Sequence, residues 1–200
     1  MDPEQSLGNY LYGVAKYGSW ETLSWLLPLP EPSDIEWRDE DGRTPLAVTR
    51  CVKCAQLLVE AGADVKTRDN YGETPLFSVG GDASIAHYLI NAGVDVNATN
   101  AYGETALMYA AGDNHYAVVI VLLIAGANRN AQSRHGATAM RWAGGPDTVI
   151  GSILLHDEHV ETVIRPAVVA TLGAALPVEL AEMCGDFVYL TAARRRAQLV

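Results

Sequence analysis

The chain has 200 residues and a mass of 21.5 kDa, with 49% apolar and 19% charged positions, which excludes full disorder and leaves enough hydrophobic material for a sizeable core. Fourteen basic against 24 acidic residues give a net charge of −10, which opposes a broad grip on nucleic-acid phosphate or anionic lipid and favours a basic or neutral protein partner. The longest apolar stretch, Pro166 to Val178, falls short of the ~20 residues that cross a bilayer as a helix. Three cysteines leave an odd one in any pairing, and no basic segment followed by an apolar one opens the chain. The expected setting is therefore reducing and intracellular, cytoplasmic and compatible with the nucleus.

In chain order, the first segment spaces Leu11, Ala15, Gly18 and Leu26-Leu27 as a degenerate helix pair within residues 6 to 27. Pro28-Leu29-Pro30-Glu31-Pro32 then predicts an extended linker, so residues 1–33 read as a capping unit with its linker. A repeat follows. Gly42-Arg43-Thr44-Pro45-Leu46 recurs as Gly72-Glu73-Thr74-Pro75-Leu76, Gly103-Glu104-Thr105-Ala106-Leu107 and Gly136-Ala137-Thr138-Ala139-Met140, with threonines 30, 31 and 33 residues apart. A second marker keeps the same phase: Leu57-Leu58 before Gly62, Leu89-Ile90 before Gly93, and Leu122-Leu123 before Gly126. Thr followed by Pro predicts a helix start at each threonine, since the hydroxyl accepts an orphan amide and Pro has none to leave unpaired. The Leu-Leu pair predicts a second, buried helix, and the glycine ends it in the left-handed conformation. Asp, Asn and Gly between copies predict a tight turn or hairpin finger.

These marks resemble the ankyrin repeat, whose copies carry an acidic residue, Gly-x-Thr-Pro-Leu-His, and a Leu-Leu helix before Gly-Ala-Asp-Val-Asn. The fullest copy here runs from Asn100-Ala101-Tyr102-Gly103-Glu104-Thr105 through Ala110-Ala111, His115, Val118-Val119, Leu122-Leu123 and Gly126-Ala127 to Asn130. Ala47, Phe77, Met108 and Arg141 stand where the family's histidine is expected, which removes a side chain that ties neighbouring repeats. Shortening near Thr49–Lys53 and Gly80–Ala83 predicts tighter turns between the paired helices. The resemblance implies an all-α solenoid of about five helix pairs, with repeats over residues 34–155 and divergent helices over 156–200.

It also implies a non-enzymatic interaction module, a scaffold, adaptor or stoichiometric inhibitor that grips its partner through a concave face and the finger tips. On that reading the binding residues are Glu40, Asp41, Arg43, Asn70, Tyr71, Glu73, Ala101, Tyr102, Glu104, Arg134 and His135. Tyr71 and Tyr102 are the expected anchors, because tyrosine joins a large rigid surface to a polar tip. Nine carboxylates against Lys16 and Arg38 in residues 1–41, six of them between Glu31 and Asp41, read as a solvated acidic run that steers a basic partner.

Chemistry-bearing groups are sparse. Cys51-x-x-Cys54 lacks a second pair for zinc and reads as buried structure, Cys184 standing alone. His156-Asp157-Glu158-His159 would serve a metal-dependent enzyme, yet lacks the spacing that sets two histidines one helical turn apart. Gly80-Gly81 and Gly144-Gly145 read as interhelical turns, since no Lys or Ser/Thr follows at phosphate-loop spacing. Asn97 resembles the asparagine that is hydroxylated in ankyrin proteins, although the repeat needs Asn there for structural reasons. No cofactor is expected.

Leu176-Pro177-Val178-Glu179-Leu180 resembles the opening of an F-box, the motif that hooks a substrate receptor onto a cullin-type ubiquitin ligase through a linker protein. Upstream, Val160, Val163-Ile164-Arg165, Val168 and Leu172-Gly173 resemble a SOCS box, which binds elongin C. This implies a ligase-linker surface at Val163, Ile164, Val168, Leu172, Leu176, Pro177, Leu180 and Phe187, and a substrate-receptor role for the repeats. Cys184, Gly185 and Pro166 depart from those motifs, and a plain capping helix is equally amphipathic. Arg194-Arg195-Arg196 reads as the cationic end of that last helix.

Overall fold

A computed structural model describes residues 6–28 and 32–155. Within them every regular element is helical, and the single β-type pairing is an isolated antiparallel bridge between Thr99 and Thr105. Two compact units meet between Ala106 and Leu107.

In the first unit, α1 (Leu7–Tyr17) starts at Ser6, whose hydroxyl accepts the Asn9 amide at 3.2 Å, and buries Gly8, Leu11, Tyr12 and Ala15 along one face. Gly18, with φ 74°, turns the chain into α2 (Trp20–Leu26). The expected linker ends early, because Pro32 opens a helical turn, α3 (Pro32–Ile35), that packs against α1. Proline supplies the fixed φ of a first helical position, so a Pro-rich stretch can hand over directly to a helix.

Next come α4 (Pro45–Val48) with α5 (Val52–Glu60), and a 3₁₀ turn (Pro75–Ser78) with α6 (Ala83–Asn91). First members pack in one row, α1 to α4 to the 3₁₀ turn, and second members in another, α2 to α5 to α6. Leu46 and Leu76 from the first row, with Leu23, Leu58, Ile85 and Leu89 from the second, are almost wholly buried between them. Each pair hides its apolar stripe only against a neighbour.

Threonine capping holds at Thr44, whose hydroxyl accepts the Ala47 amide at 3.4 Å, and at Thr138, which does the same for Arg141. Thr74 departs from it. There the Phe77 amide bonds the Thr74 carbonyl at 3.0 Å in a 3₁₀ turn, and the Thr74 hydroxyl is buried with no hydrogen-bond partner. Gly80 and Gly81, at φ 62° and 97°, then reverse the chain.

The second unit begins inside α7 (Ala106–Gly112) and holds α8 (Tyr116–Ile124), α9 (Ala139–Trp142) and α10 (Val149–Leu155). Residues Val118 to Leu123 of α8 are all buried, and α10 packs on both α8 and α9. Trp142 stacks on Tyr109 with ring centroids 5.4 Å apart, and a Cβ at Gly112 would stand 2.9 Å from that indole. Arg129 donates to the Leu154 carbonyl at 2.9 Å and fastens the end of α10.

The helices α5, α6 and α8 end alike. Gly62, Gly93 and Gly126 take φ of 103°, 98° and 88°, and the amide after each reaches back five residues, as Val94 does to Leu89 at 3.1 Å. A Cβ at Gly93 would meet nothing within 4 Å, so Gly93→Ala isolates backbone strain, and a loss of about 1–2 kcal/mol is expected in urea unfolding. Gly13, mid-helix in α1 with equally open space and no positive φ, is the control: Gly13→Ala is expected to gain about 0.5–1 kcal/mol.

Candidate functional site

Between one second helix and the next first helix the chain makes a finger, and one side-chain oxygen closes each finger. The Asp39 carboxylate accepts the amides of Asp41 and Arg43 at 3.1 and 2.8 Å. Asp69 accepts those of Tyr71 and Glu73, both at 2.9 Å, and Asn100 those of Tyr102 and Glu104 at 2.9 and 3.0 Å. In the second unit the Ser133 hydroxyl accepts those of His135 and Ala137 at 3.3 and 3.2 Å. A glycine three residues later, at φ 69–78°, completes each turn with its amide on the carbonyl of the closing residue. An acceptor that can take two amides and a residue that tolerates positive φ are both required, which is why Asp, Asn or Ser precedes Gly at this spacing.

Fingers of the first unit are bonded to one another. The Asn70 amide donates to the Asp41 carbonyl at 2.9 Å, and the Ala101 amide to that of Tyr71 at 2.8 Å. Arg38 spans the Gly42 and Arg68 carbonyls at 2.9 and 2.7 Å, and Arg68 repeats the move on Gly72 and Thr99 at 2.6 and 2.7 Å. These two arginines supply an inter-repeat tie of the kind that the missing histidines would have provided, and the sequence reading passed over them. Their signal was a spacing of 30 residues, matched to the first repeat step.

The expected binding residues separate into two sets. Asp41 and Arg43 pair at 2.8 Å, Arg43 also bonds Asp39 at 2.8 Å, and the Asn70 amide nitrogen Nδ2 donates to the Glu40 carbonyl at 2.9 Å. Glu73 and Glu104 both accept from Asn100 Nδ2, at 3.2 and 2.9 Å. Those five side chains help to build the fingers. Glu40 and Ala101 are exposed, and Tyr71 and Tyr102 keep 47% and 48% of their surface in solvent at the tips. Arg134 and His135 are exposed on the finger of the second unit.

Part of the acidic run between Glu31 and Asp41 is also used internally. Glu36 accepts the Asp64 amide at 2.8 Å, and Asp39 receives both the Tyr12 hydroxyl from α1 and the Arg43 guanidinium. Tyr12 packs edge-on against Trp37, with centroids 5.3 Å apart, so the amino-terminal helix is fastened to the first finger. Burial, then the bonded Asp39 carboxylate, pushes the Tyr12 hydroxyl up to about 12. For Asp39 burial opposes ionisation, but the bonds from Tyr12 and Arg43 prevail and hold its carboxyl below the usual range.

Other aromatic surface was not anticipated. Tyr17 and Trp25, 85% and 82% exposed, lie on α1 and α2, and Tyr10, Gly13, Val14 and Tyr17 line an open groove of about 710 Å³ with Ser19 and Thr22. The signal was the spacing of Tyr10, Gly13 and Tyr17 on the face opposite Leu11 and Ala15. Asn97 is exposed, and its amide donates to Asp95 at 2.9 Å in a local turn. Among the described residues no cluster of His, Cys, Asp and Glu is placed to hold a metal ion, and no helix is long and apolar enough to cross a membrane. The His156–His159 group, and the ligase-linker residues from Val163 to Phe187, lie outside the described residues.

Stacked helix pairs with bonded fingers define a repeat protein of the interaction-module class. Residues 11–100 match the family described as ankyrin repeats (3 copies), and residues 89–143 match that described as ankyrin repeats (many copies). The chain belongs to the ankyrin-repeat family, whose members are typically non-enzymatic protein-interaction modules. No curated protein matches it.

The Tyr12–Asp39–Arg43 junction predicts a pH signature. Asp39 is depressed, so its contribution is whole above the unfolded carboxylate range, about pH 4, and fades as pH falls below it. Tyr12 is raised, so its contribution is whole below about pH 10 and fades as pH rises toward 12. Asp39→Asn keeps the acceptor that closes the finger, as Asn100 does naturally, and removes the charge. It is expected to lower the melting temperature at pH 7, and the difference from the wild type is expected to shrink as pH falls below about 4 and to close only below the depressed Asp39 value. Tyr12→Phe is expected to lower the melting temperature at pH 7 and to converge on the wild type at alkaline pH, both read by thermal melts across pH.

Proposed function

We propose that the chain binds a partner protein through the tips of its first-unit fingers and acts as a scaffold, adaptor or inhibitor without catalysis. What supports this most is that Tyr71 and Tyr102 stay half-exposed on loops whose backbones are already bonded to each other through the Ala101 amide. A rigid loop surrenders little conformational entropy on binding, so a ring held in this way adds most of its contact energy to affinity. The exposed Glu40 and the −10 net charge favour a neutral or basic partner surface. Asp41, Arg43, Asn70, Glu73 and Glu104 contribute by holding the tips in place, and Arg134 and His135 are the exposed candidates on the finger of the second unit. The two described cysteines are free thiols, which suits a reducing compartment.

Removing both rings should separate binding from folding. In affinity capture from the native host's lysate, Tyr71→Ala with Tyr102→Ala is expected to weaken retention of the captured partner by at least about tenfold, near 1.4 kcal/mol, with an unchanged melting temperature. Undiminished retention would count against the tips as the binding surface. Retention that survives this double change but disappears when residues 157–200 are removed would instead favour the ligase-receptor reading.

A further inference from the structure

The turn between α4 and α5 brings together two thiols that partner binding does not use. Cys51 is the N-cap of α5, with extended backbone at φ −137° and ψ 124°, and Cys54 lies in the first turn of that nine-residue helix. Cys54 is fully buried and Cys51 is half-buried, three residues apart across the first turn of the helix. Around them stand Thr49, whose hydroxyl donates to the Cys51 carbonyl at 3.4 Å, and Lys53, whose ammonium sits 4.3 Å from the centroid of the Trp20 ring.

We propose that Cys51 and Cys54 form a dithiol modification site, which a hydroperoxide converts to an intramolecular disulfide with Cys51 as the attacking thiol and Cys54 as the resolving one. The Cys51 sulfur, as thiolate, attacks the peroxide oxygen, the O–O bond breaks, and a sulfenic acid forms as the departing oxygen takes up a proton to leave as water or alcohol. The Cys54 sulfur then attacks the Cys51 sulfur, and hydroxide leaves carrying the Cys54 proton as a second water. Two thiols are oxidised by two electrons and one peroxide is reduced, so the step closes without another reagent.

Position assigns the roles. Solvent reaches the half-buried Cys51 at the start of α5, so it is the thiol a dissolved peroxide meets first. Burial, then the neighbouring Cys51, pushes the Cys54 thiol up to about 12, so Cys54 is inert to solvent reagents and meets one electrophile, the neighbouring sulfur. The Cys51 backbone lies outside the helix, and its side chain can rotate toward Cys54 without breaking a helical hydrogen bond. A Cβ at Gly18 would stand 3.6 Å from the Cys51 Cβ, which places the new bond beside the turn joining α1 to α2.

Lys53 makes the product readable, because trypsin cuts between the two cysteines. The full reduced chain is treated with hydrogen peroxide, blocked with iodoacetamide and digested. The expected product is peptide 51–53 joined to peptide 54–66, released by dithiothreitol. In the untreated native chain, iodoacetamide is expected to label Cys51 at least about tenfold faster than Cys54. With Cys54→Ala, dimedone is expected to trap a sulfenic acid at Cys51, and the joined peptides disappear. The labelling rates and the peptide map use the unaltered chain, so they decide the matter even where that variant fails to fold. Oxidation that leaves peptides 51–53 and 54–66 separate, joins either one to Cys184, or finds Cys54 labelled as fast as Cys51 would overturn the proposal.

Discussion

One side-chain oxygen in each finger accepts two backbone amides, and the rest of the molecule is arranged around that bond. A buried or half-buried amide left without a partner costs about 1–3 kcal/mol, and each finger turns too sharply to satisfy its own amides through the backbone alone. Asp39, Asp69, Asn100 and Ser133 meet the same need with three different side chains. Once the loop is closed its outward carbonyls have fixed directions, and in the first unit Arg38, Arg68 and two backbone amides use them to join one finger to the next. Local closure thus becomes long-range order between repeats.

That order has consequences at both ends of the first unit. At its amino-terminal side the closing residue Asp39 also receives Tyr12, so a helix pair lacking any finger signature is fastened to the first finger by a hydrogen bond and by Trp37 packing. Toward its other end, Asn100 spends its oxygen on closure and its nitrogen on Glu73 and Glu104, so one side chain joins two fingers. Tyr71 and Tyr102 ride on this framework with their rings half in solvent. The acidic residues beside them hold the framework together more than they advertise charge.

Much of this was legible because the local backbone demands particular residues. Positive φ at Gly62, Gly93 and Gly126, and at the finger glycines, leaves few alternatives to glycine, so helix ends and turns could be read directly. The buried Leu-Leu helices followed from periodicity. Other features depend on where distant residues arrive and leave no local mark. Arg38 and Arg68 look like solvated charges until the carbonyls of the following finger are in place, and Arg43, Glu73 and Glu104 looked like tip residues although their partners lie on the fingers themselves. Thr74 matches Thr44 in sequence, yet its hydroxyl takes no amide and the residues after it form a 3₁₀ turn. Pro32 looked like linker, and its place as the first residue of α3, an element that packs against α1, shows only in the folded chain.

Native-state hydrogen exchange at the Asn70 and Ala101 amides tests the central claim most directly, because those two amides make the backbone bonds that join neighbouring fingers. If the fingers are bonded into one framework, both amides exchange slowly, with opening free energies near those of buried amides in α5 and α6. Exchange of both at the rate of an unstructured peptide, while α5 and α6 stay protected, would show that the fingers move independently and would contradict the account.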